Sequence, residues 1–305
     1  MDEHVTATDE VGRHLAPNAR KMLERSPKER VDYVKKDAWI PYRAADKIIC
    51  QLEDLMTHPK VARMPFLAIC SRTNNGKSRL LDYFLERHPP DDNVSGGAIH
   101  VPVLRIQCPG APDESRLYDE IFRRVFIKAR PNTSAREKQS VVFGTLADIK
   151  VQMLIVDESN FAESGTIAKQ KIFLNALRAL SIELKIPIAM AGTEEMLRVI
   201  RTIPAFENRA IPAFLPVWQC DLEFQQLLAS FETTIPLKFA SGLSKKKFAI
   251  LLHSRCEGTI GELKLMLGKL TELAINSGEE RITEEMVDRC GYTSPSIRRR
   301  EKIPV

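Results

Sequence analysis

A short apolar run, Phe66-Leu67-Ala68-Ile69-Cys70, leads directly into Ser71-Arg72-Thr73-Asn74-Asn75-Gly76-Lys77-Ser78 and then into a helix-forming stretch ending near Arg87. Few features narrow the choice of fold as far. The order strand, polar loop, Gly-Lys-Ser, helix is that of the phosphate loop G-x-x-x-x-G-K-[ST]. Backbone N–H groups of such a loop, and the helix N-terminus behind it, face an anion. In this pattern Lys77 bridges the β- and γ-phosphates, Ser78 ligates Mg²⁺, and Gly76 lets the backbone approach closely. Ser71, Thr73, Asn74 and Asn75 complete the cradle, and ATP with Mg²⁺ are the expected cofactors. A Gly-Lys-Ser tripeptide alone is weak; its place between strand and helix gives it meaning. One residue departs from the pattern. Ser71 stands where glycine is expected, and a Cβ at a turn suited to glycine costs about 1 kcal/mol.

A phosphate loop calls for an acidic pair at the end of another buried strand. Met153-Leu154-Ile155-Val156-Asp157-Glu158 supplies one. Asp157 is the expected Mg²⁺ holder, through water, and Glu158 the general base that polarises the attacking water. Further apolar runs at His100–Gln107 and Ile186–Ala191 read as strands, with helices over Ala44–Thr57, Ser78–Arg87, Ser115–Arg130 and Lys169–Leu184 between them. That alternation implies a mostly parallel sheet covered on both faces, an α/β fold of the P-loop NTPase kind. Beyond Pro216 the strand pattern stops, and helices are expected over 221–232, 244–255, 259–277 and 283–290. Ser26-Pro27-Lys28-Glu29 and Thr259-Ile260-Gly261-Glu262 both have the spacing of a capping box. The expected organisation is an N-terminal helical extension over 1–42, a nucleotide-binding domain over 43–216, a small all-helical lid over 217–292 and a basic tail over 293–305. Residues 1 to about 20 read as disordered or weakly helical.

Two further segments fit oligomeric ATPases of the AAA+ class. Ile188-Ala189-Met190-Ala191-Gly192 ends at Thr193, placed to position the attacking water; the competing reading of Thr193 is an ordinary helix cap. Phe206-Glu207-Asn208 precedes Arg209, in the place of an arginine finger that acts on a neighbouring subunit. Arg198 and Arg201 are rivals for that role, and a surface salt bridge is the plain alternative. The lid stretch Gly258–Leu263 has no arginine near the expected γ-phosphate, which points to slow turnover.

Composition is that of an ordinary globular chain, with 44% hydrophobic and 28% charged residues in 305. No apolar run approaches the roughly 18 residues of a membrane span, and the first residues lack the apolar stretch of a secretory leader. Six scattered cysteines without a CxxC pair argue for reduced thiols in a cytoplasm, five of them in contexts that suit core packing. The net charge of +5 permits nucleic-acid contact without demanding it. Arg116 to Lys138 holds seven Lys or Arg against three Asp or Glu, and the tail carries Arg298-Arg299-Arg300 before Glu301-Lys302. Either run alone is adequately explained as a solvated face.

With these residues in place the chain resembles the TniB family of transposition ATPases, relatives of TnsC and MuB. The likeness is carried by Tyr33 to Tyr42, by Thr73 to Ser78, by Ile188 to Thr193, by Asn208-Arg209 with Leu215-Pro216-Val217-Trp218, and by Glu257 to Glu262. The Thr-Asn-Asn loop and the Gly-Thr-Ile-Gly segment are its most specific parts. Ser71, and Ser159-Asn160 where a histidine-bearing continuation is usual, depart from it. The resemblance implies a prokaryotic, cytoplasmic ATPase that assembles as rings or filaments on double-stranded DNA. It implies recruitment of a DDE-type transposase and a TniQ-like target-selection partner, with no membrane involved. DNA would be gripped through its phosphates, with Lys128, Arg130, Arg136 and Lys138 as candidate contacts and Arg123 and Arg124 behind them. Two alternatives stay open: a nucleotide-gated scaffold with little hydrolysis, and a loader from another DNA-processing pathway.

Overall fold

All the strands of the sheet run parallel, in the order β2-β3-β4-β1-β5. They are β1 (Phe66–Cys70), β2 (Val103–Gln107), β3 (Met153–Asp157), β4 (Ile188–Gly192) and β5 (Ala210–Phe214) in a computed structural model of the chain. The structure describes residues 11–300 apart from 37, 93–95, 97, 98, 129 and 131. The three inner strands are buried along their whole length, as near-continuous apolar runs require when helices cover both faces. β5, which the apolar pattern does not reveal, lies at one edge. Pro212 is tolerated there because the outer side of an edge strand needs no N–H donor.

Among the described residues, nine helices accompany the chain through this region and before it: α1 (Pro17–Lys21), α2 (Pro27–Lys35), α3 (Arg43–Met56), α4 (Lys77–Arg87), α5 (Glu114–Arg124), α6 (Ala135–Asp148), α7 (Ile167–Leu184), α8 (Glu194–Ile200) and α9 (Pro204–Glu207). The sheet core gathers Phe66, Leu104, Ile106, Tyr118, Phe122, Leu154, Val156, Phe173 and Phe206, with the Phe66 and Phe206 rings stacked 4.2 Å apart. Each such side chain contributes about 1.5–3 kcal/mol by leaving water. The basic helix expected to reach Arg130 stops at Arg124. Phe126 takes a left-handed backbone (φ 59°) and the Ile127 N–H turns back to the Phe122 carbonyl, a helix ending usually made with glycine. Ser134 then starts α6 through a capping box with Glu137, a helix that the apolar pattern alone does not announce.

By contacts the chain forms two units. One spans Arg43–Thr73 and Lys77–Pro216 and holds the sheet. The other combines residues of Met1–Tyr42, Asn74–Gly76 and Val217–Val305. The second unit is helical: α10 (Leu222–Thr234), α11 (Lys246–Cys256), α12 (Ile260–Asn276), α13 (Glu284–Arg289) and α14 (Pro295–Arg300). Phe224, Leu228, Leu252, Leu263, Leu267 and Ile282 form its core together with Val31 and Ile40 from the N-terminal residues. The capping box at Ser26 is formed with Glu29. Arg30, only 4% exposed, pairs with Glu280 and donates two bonds to the Pro236 carbonyl (2.7 and 3.0 Å). Residues 11–20, expected to be disordered or weakly helical, enter the short α1 and are packed: Leu15 and Ala19 are buried, and Gly12 and Ala16 donate backbone bonds to Lys238 and Thr233. The first ten residues and Glu301-Lys302 lie outside the described residues. All six cysteines are free thiols; Cys70, Cys108 and Cys256 are buried, whereas Cys50 and Cys220 are exposed rather than core filler. Among the described residues no helix is long and apolar enough to cross a membrane.

Candidate functional site

The parallel register brings four strand ends to one edge of the sheet. Cys70 pairs with Gly192 and Gln107 with Asp157, so Ser71, Cys108, Glu158 and Thr193 leave the sheet side by side. Ligands of open α/β sheets bind beyond this carboxyl edge. Ser71, Lys77, Ser78, Asp157, Glu158 and Thr193 all belong to that edge of the sheet unit.

Lys77 opens α4 and is 7% exposed. Its ammonium donates to the Ser71 carbonyl (3.0 Å), the Ser71 hydroxyl (3.2 Å) and the Arg72 carbonyl (3.0 Å). Burial pushes its pKa below the usual lysine value, against the opposite pull of Glu158 and Asp157. Ser71 is therefore no idle replacement for glycine. Its φ is not in the left-handed region, so the strain anticipated for a Cβ is absent, and its hydroxyl anchors the lysine. Gly76 does require glycine: its φ is +87°, and a Cβ would press within 3.2 Å of Ile260.

Asp157 ends β3 and is 2% exposed. One carboxylate oxygen accepts the Glu158 N–H at 2.8 Å, and the other pairs with the Arg105 guanidinium. Ser159 fixes the turn through its hydroxyl on the Val156 carbonyl (2.8 Å). Within that turn Glu158 takes a left-handed backbone (φ 51°), a conformation costing a non-glycine residue about 1–2 kcal/mol. Such strain concentrates at working sites. Asn160, in the Ser159-Asn160 pair that departs from the family pattern, has a buried side-chain oxygen with no partner among the described residues, and its backbone nitrogen lies 3.0 Å from where a Cβ on Gly192 would stand. Thr193 precedes α8 but makes no capping bond to the backbone; its hydroxyl donates to the Glu195 carboxylate, which holds that group below the usual glutamate range.

A Mg²⁺ shared with nucleotide phosphates needs one or two hard protein oxygens and no full cage. The Asp157 carboxylate and the Ser78 hydroxyl are such oxygens. The carboxylate already holds a cation, the Arg105 guanidinium, so the donor set fits a metal. Sequence reasoning misses Arg105. Its only signal is a charge inside the apolar strand Val103-Leu104-Arg105-Ile106.

Arg209 lies at the opposite edge. It precedes β5, and its carbonyl accepts the Phe66 N–H (3.0 Å) at the start of β1. Five residues of strand put it roughly 17 Å from the phosphate-loop edge, so it cannot reach its own site. Its guanidinium lies over the Phe66 ring, 6.0 Å from the centroid, and burial with Arg178 and Arg63 nearby lowers its pKa. Arg198 is paired with Glu163 and Glu195 (3.1 Å each), while Arg201 is exposed with Glu207 4.0 Å away. Lys128, Arg130 and Arg136 are exposed on and before α6. Lys138 is not: its ammonium is bound to Asp119 and Ser115 between α5 and α6, which withdraws it from the exposed set.

In the helical unit the resemblance-bearing segments meet. Asn74 donates to Glu262 (3.0 Å), and the Gly261 N–H donates to the Asn74 carbonyl (3.0 Å). A Cβ on Gly261 would fall 1.9 Å from the Asn74 side-chain oxygen, so only glycine fits. Glu262 also accepts from the Tyr292 hydroxyl (2.8 Å) and from Arg298 of α14. Burial alone would raise its pKa, but these partners bring it below the usual range. The expected capping box at Thr259 is consequently not formed: Glu262 is claimed by tertiary partners, and the Thr259 hydroxyl donates to the Cys256 carbonyl. The Tyr42 ring stands edge-on to Trp218 at 5.0 Å, and the Trp218 N–H donates to the Gly258 carbonyl (2.8 Å).

The profile of the family described as Bacterial TniB protein matches residues 30–220. No curated protein matches the sequence. Among solved structures, the Aeropyrum pernix ORC2 protein, in ADPNP–ADP complexes, is 14% identical with a TM-score of 0.59, over 84% of this chain and 70% of that one. The Aeropyrum pernix ORC1 protein in complex with DNA is 17% identical with a TM-score of 0.58, over 89% and 68%. Cdc6p from Pyrobaculum aerophilum is 14% identical with a TM-score of 0.57, over 82% and 68%. At these identities the likeness is one of fold, that of AAA+ P-loop ATPases with a parallel sheet and a helical unit. With the family profile spanning well over half its length, the chain belongs to the TniB family.

Proposed function

We propose that the chain is an ATP-dependent, DNA-bound regulator of transposition that recruits or activates a DDE-type transposase. The observation that carries the chemistry is the gathering of Lys77, Ser78, Asp157, Glu158 and Thr193 at the carboxyl edge of one parallel sheet. Lys77 gives up the Ser71 and Arg72 carbonyls and turns to the β- and γ-phosphates. Ser78 and Asp157 would hold Mg²⁺, which would neutralise phosphate charge. Glu158 draws a proton from the attacking water, and Thr193 orients it. Arg209 serves a neighbouring copy in a ring or filament, which fits its distance from its own phosphate loop. Lys128, Arg130 and Arg136 meet DNA phosphates without base readout. The ORC1 neighbour was solved in complex with DNA, which is consistent with a nucleic-acid role. A TniQ-like partner and a prokaryotic cytoplasmic setting complete the reading, and the residues ahead of the sheet unit and the basic tail are candidate transposase-docking segments.

A second reading, a scaffold that needs ATP to assemble and hydrolyses little, is favoured by one observation. The Arg209 guanidinium is packed on Phe66 and not extended as a finger. Negative-stain imaging on duplex DNA with ATP, with ADP and without nucleotide tests both. Rings or filaments formed with ATP alone are expected; no DNA-bound assembly in any condition sinks both. Lys77→Ala is expected to abolish nucleotide-dependent assembly. Glu158→Gln is expected to trap ATP-bound assemblies, with turnover down about 10²-fold or more if Glu158 is the base. Turnover equal to the parent's removes that assignment.

A further inference from the structure

Arg105 is the one charged residue of β2 and reaches two carboxylates at once. One of its terminal nitrogens pairs with Asp157, at the metal-holding end of β3, and the other with Asp82 on α4. Asp82 lies one turn beyond Ser78, so both face the same side of the phosphate-loop helix. The two partners differ in setting. The Asp157 side chain is 2% exposed, the Asp82 side chain 50%. Beside them, along the edge strand β2, opens a cleft of about 400 Å³ lined by Asp82, Arg105, Gln107, Arg123, Arg124 and Phe126. Arg105 therefore has space to move into and a second carboxylate to keep while doing so.

We propose that Arg105 is a positioning residue, a displaceable counter-ion that holds Asp157 and yields it as Mg²⁺ arrives with nucleotide. The inference rests on the nucleotide-site reading above. A buried carboxylate without a partner would be costly, so the guanidinium satisfies Asp157 and keeps it aimed when no metal competes. A divalent ion on the same carboxylate repels the guanidinium, because like charges a few ångströms apart in a poorly screened site interact strongly. The arginine then retires toward Asp82 and the cleft. Arg105 thus sets how much Mg²⁺ the site requires, and Asp82 sets how readily Arg105 leaves.

The two ends of this arrangement predict shifts of opposite sign, which a merely structural role does not. The experiment titrates Mg²⁺ into the full chain with a fluorescent ATP analogue at fixed concentration and reads the Mg²⁺ midpoint of binding. Arg105→Gln is expected to lower the midpoint about threefold to tenfold, since the competing cation is gone. Asp82→Asn removes one of the two carboxylates paired with Arg105 among the described residues, leaving Asp157, and is expected to raise the midpoint about twofold to fivefold. Asp82 is half exposed, so this variant folds even if Arg105→Gln does not. Arg105→Lys, which keeps the charge but not the fork, is expected to fall between parent and Arg105→Gln. The proposal is overturned if Asp82→Asn leaves the midpoint in place or lowers it, or if Arg105→Gln folds and leaves it unmoved. Should the parent bind the analogue in EDTA with no dependence on Mg²⁺, the role of Arg105 falls alone. Should it bind no nucleotide with or without Mg²⁺, the site reading falls as well.

Discussion

Two arginine–carboxylate pairs, one in each unit, the first buried and the second buried on its carboxylate side, have the same chemistry and opposite prospects. In the helical unit Arg30 and Glu280 bring together residues 250 positions apart, with side chains only 5% and 10% exposed. Arg30 is also bound to the Pro236 carbonyl, and Glu280 receives the Lys238 N–H (3.4 Å). In the sheet unit Arg105 and Asp157 meet at the end of the strands, with a cleft on the arginine's side and a second carboxylate within its reach. What separates a clamp from a contact that can exchange is the space and the alternative partner beside it, more than the pair itself.

The largest expected effect tests the clamp. Arg30→Ala strands a buried carboxylate and should cost about 3–5 kcal/mol, a large part of the roughly 5–15 kcal/mol that holds a domain folded. Denaturant unfolding of the full chain measures it against the parent in the same ligand conditions, and added Mg²⁺ with ATP should leave that difference unchanged. Arg105→Gln should cost less, about 1–3 kcal/mol, because Asp157 keeps the Glu158 N–H. Here the same addition should restore stability, since a cation again occupies the carboxylate. Equal losses in the two variants, neither relieved by Mg²⁺ and ATP, would erase the distinction between the pairs.

A smaller effect sharpens it through pH. Burial pushes the Glu280 carboxyl up, but the bonds and charge of Arg30, with help from Lys238, bring it below the ordinary range. A depressed folded pKa means stability that is present above the unfolded value of about 4.3 and is lost as pH falls through the folded one. Unfolding free energies measured from about pH 6 down to pH 3 should show that loss in the parent. In Arg30→Ala the carboxyl is left with burial as its dominant influence, so its share of the pH dependence should shrink or change sign. An unchanged acid limb would mean that the ion pair is not its source.

Much of the molecule is legible along the chain where neighbours in sequence decide it. Three strands announce themselves because they are buried on both faces and hence apolar throughout, and β2 shows itself through the apolar residues around Arg105. The phosphate loop, Asp157-Glu158 and Thr193 stand at the ends of those strands, so strand ends suffice to find them. β5 is hidden because an edge strand exposes Ile211 and Phe214 and tolerates Pro212. α6 is missed although Ser134 and Glu137 spell its start, since its faces carry a weak apolar pattern. At Thr259 the same spelling misleads, because Asn74, Tyr292 and Arg298 take the glutamate that the box needs. Arg105 requires the sheet order itself: nothing in the sequence says that β2 lies beside β3.

Gly261 and Asn74 lie nearly two hundred positions apart, yet the absence of one Cβ is what lets them touch. The two stretches that look most distinctive when the chain is read in a line are therefore a single object, written twice. A chain that spells one of them without the other should be counted as a chance likeness. Borrowing the Thr-Asn-Asn loop for another protein means transplanting the Gly-Thr-Ile-Gly-Glu helix start with it.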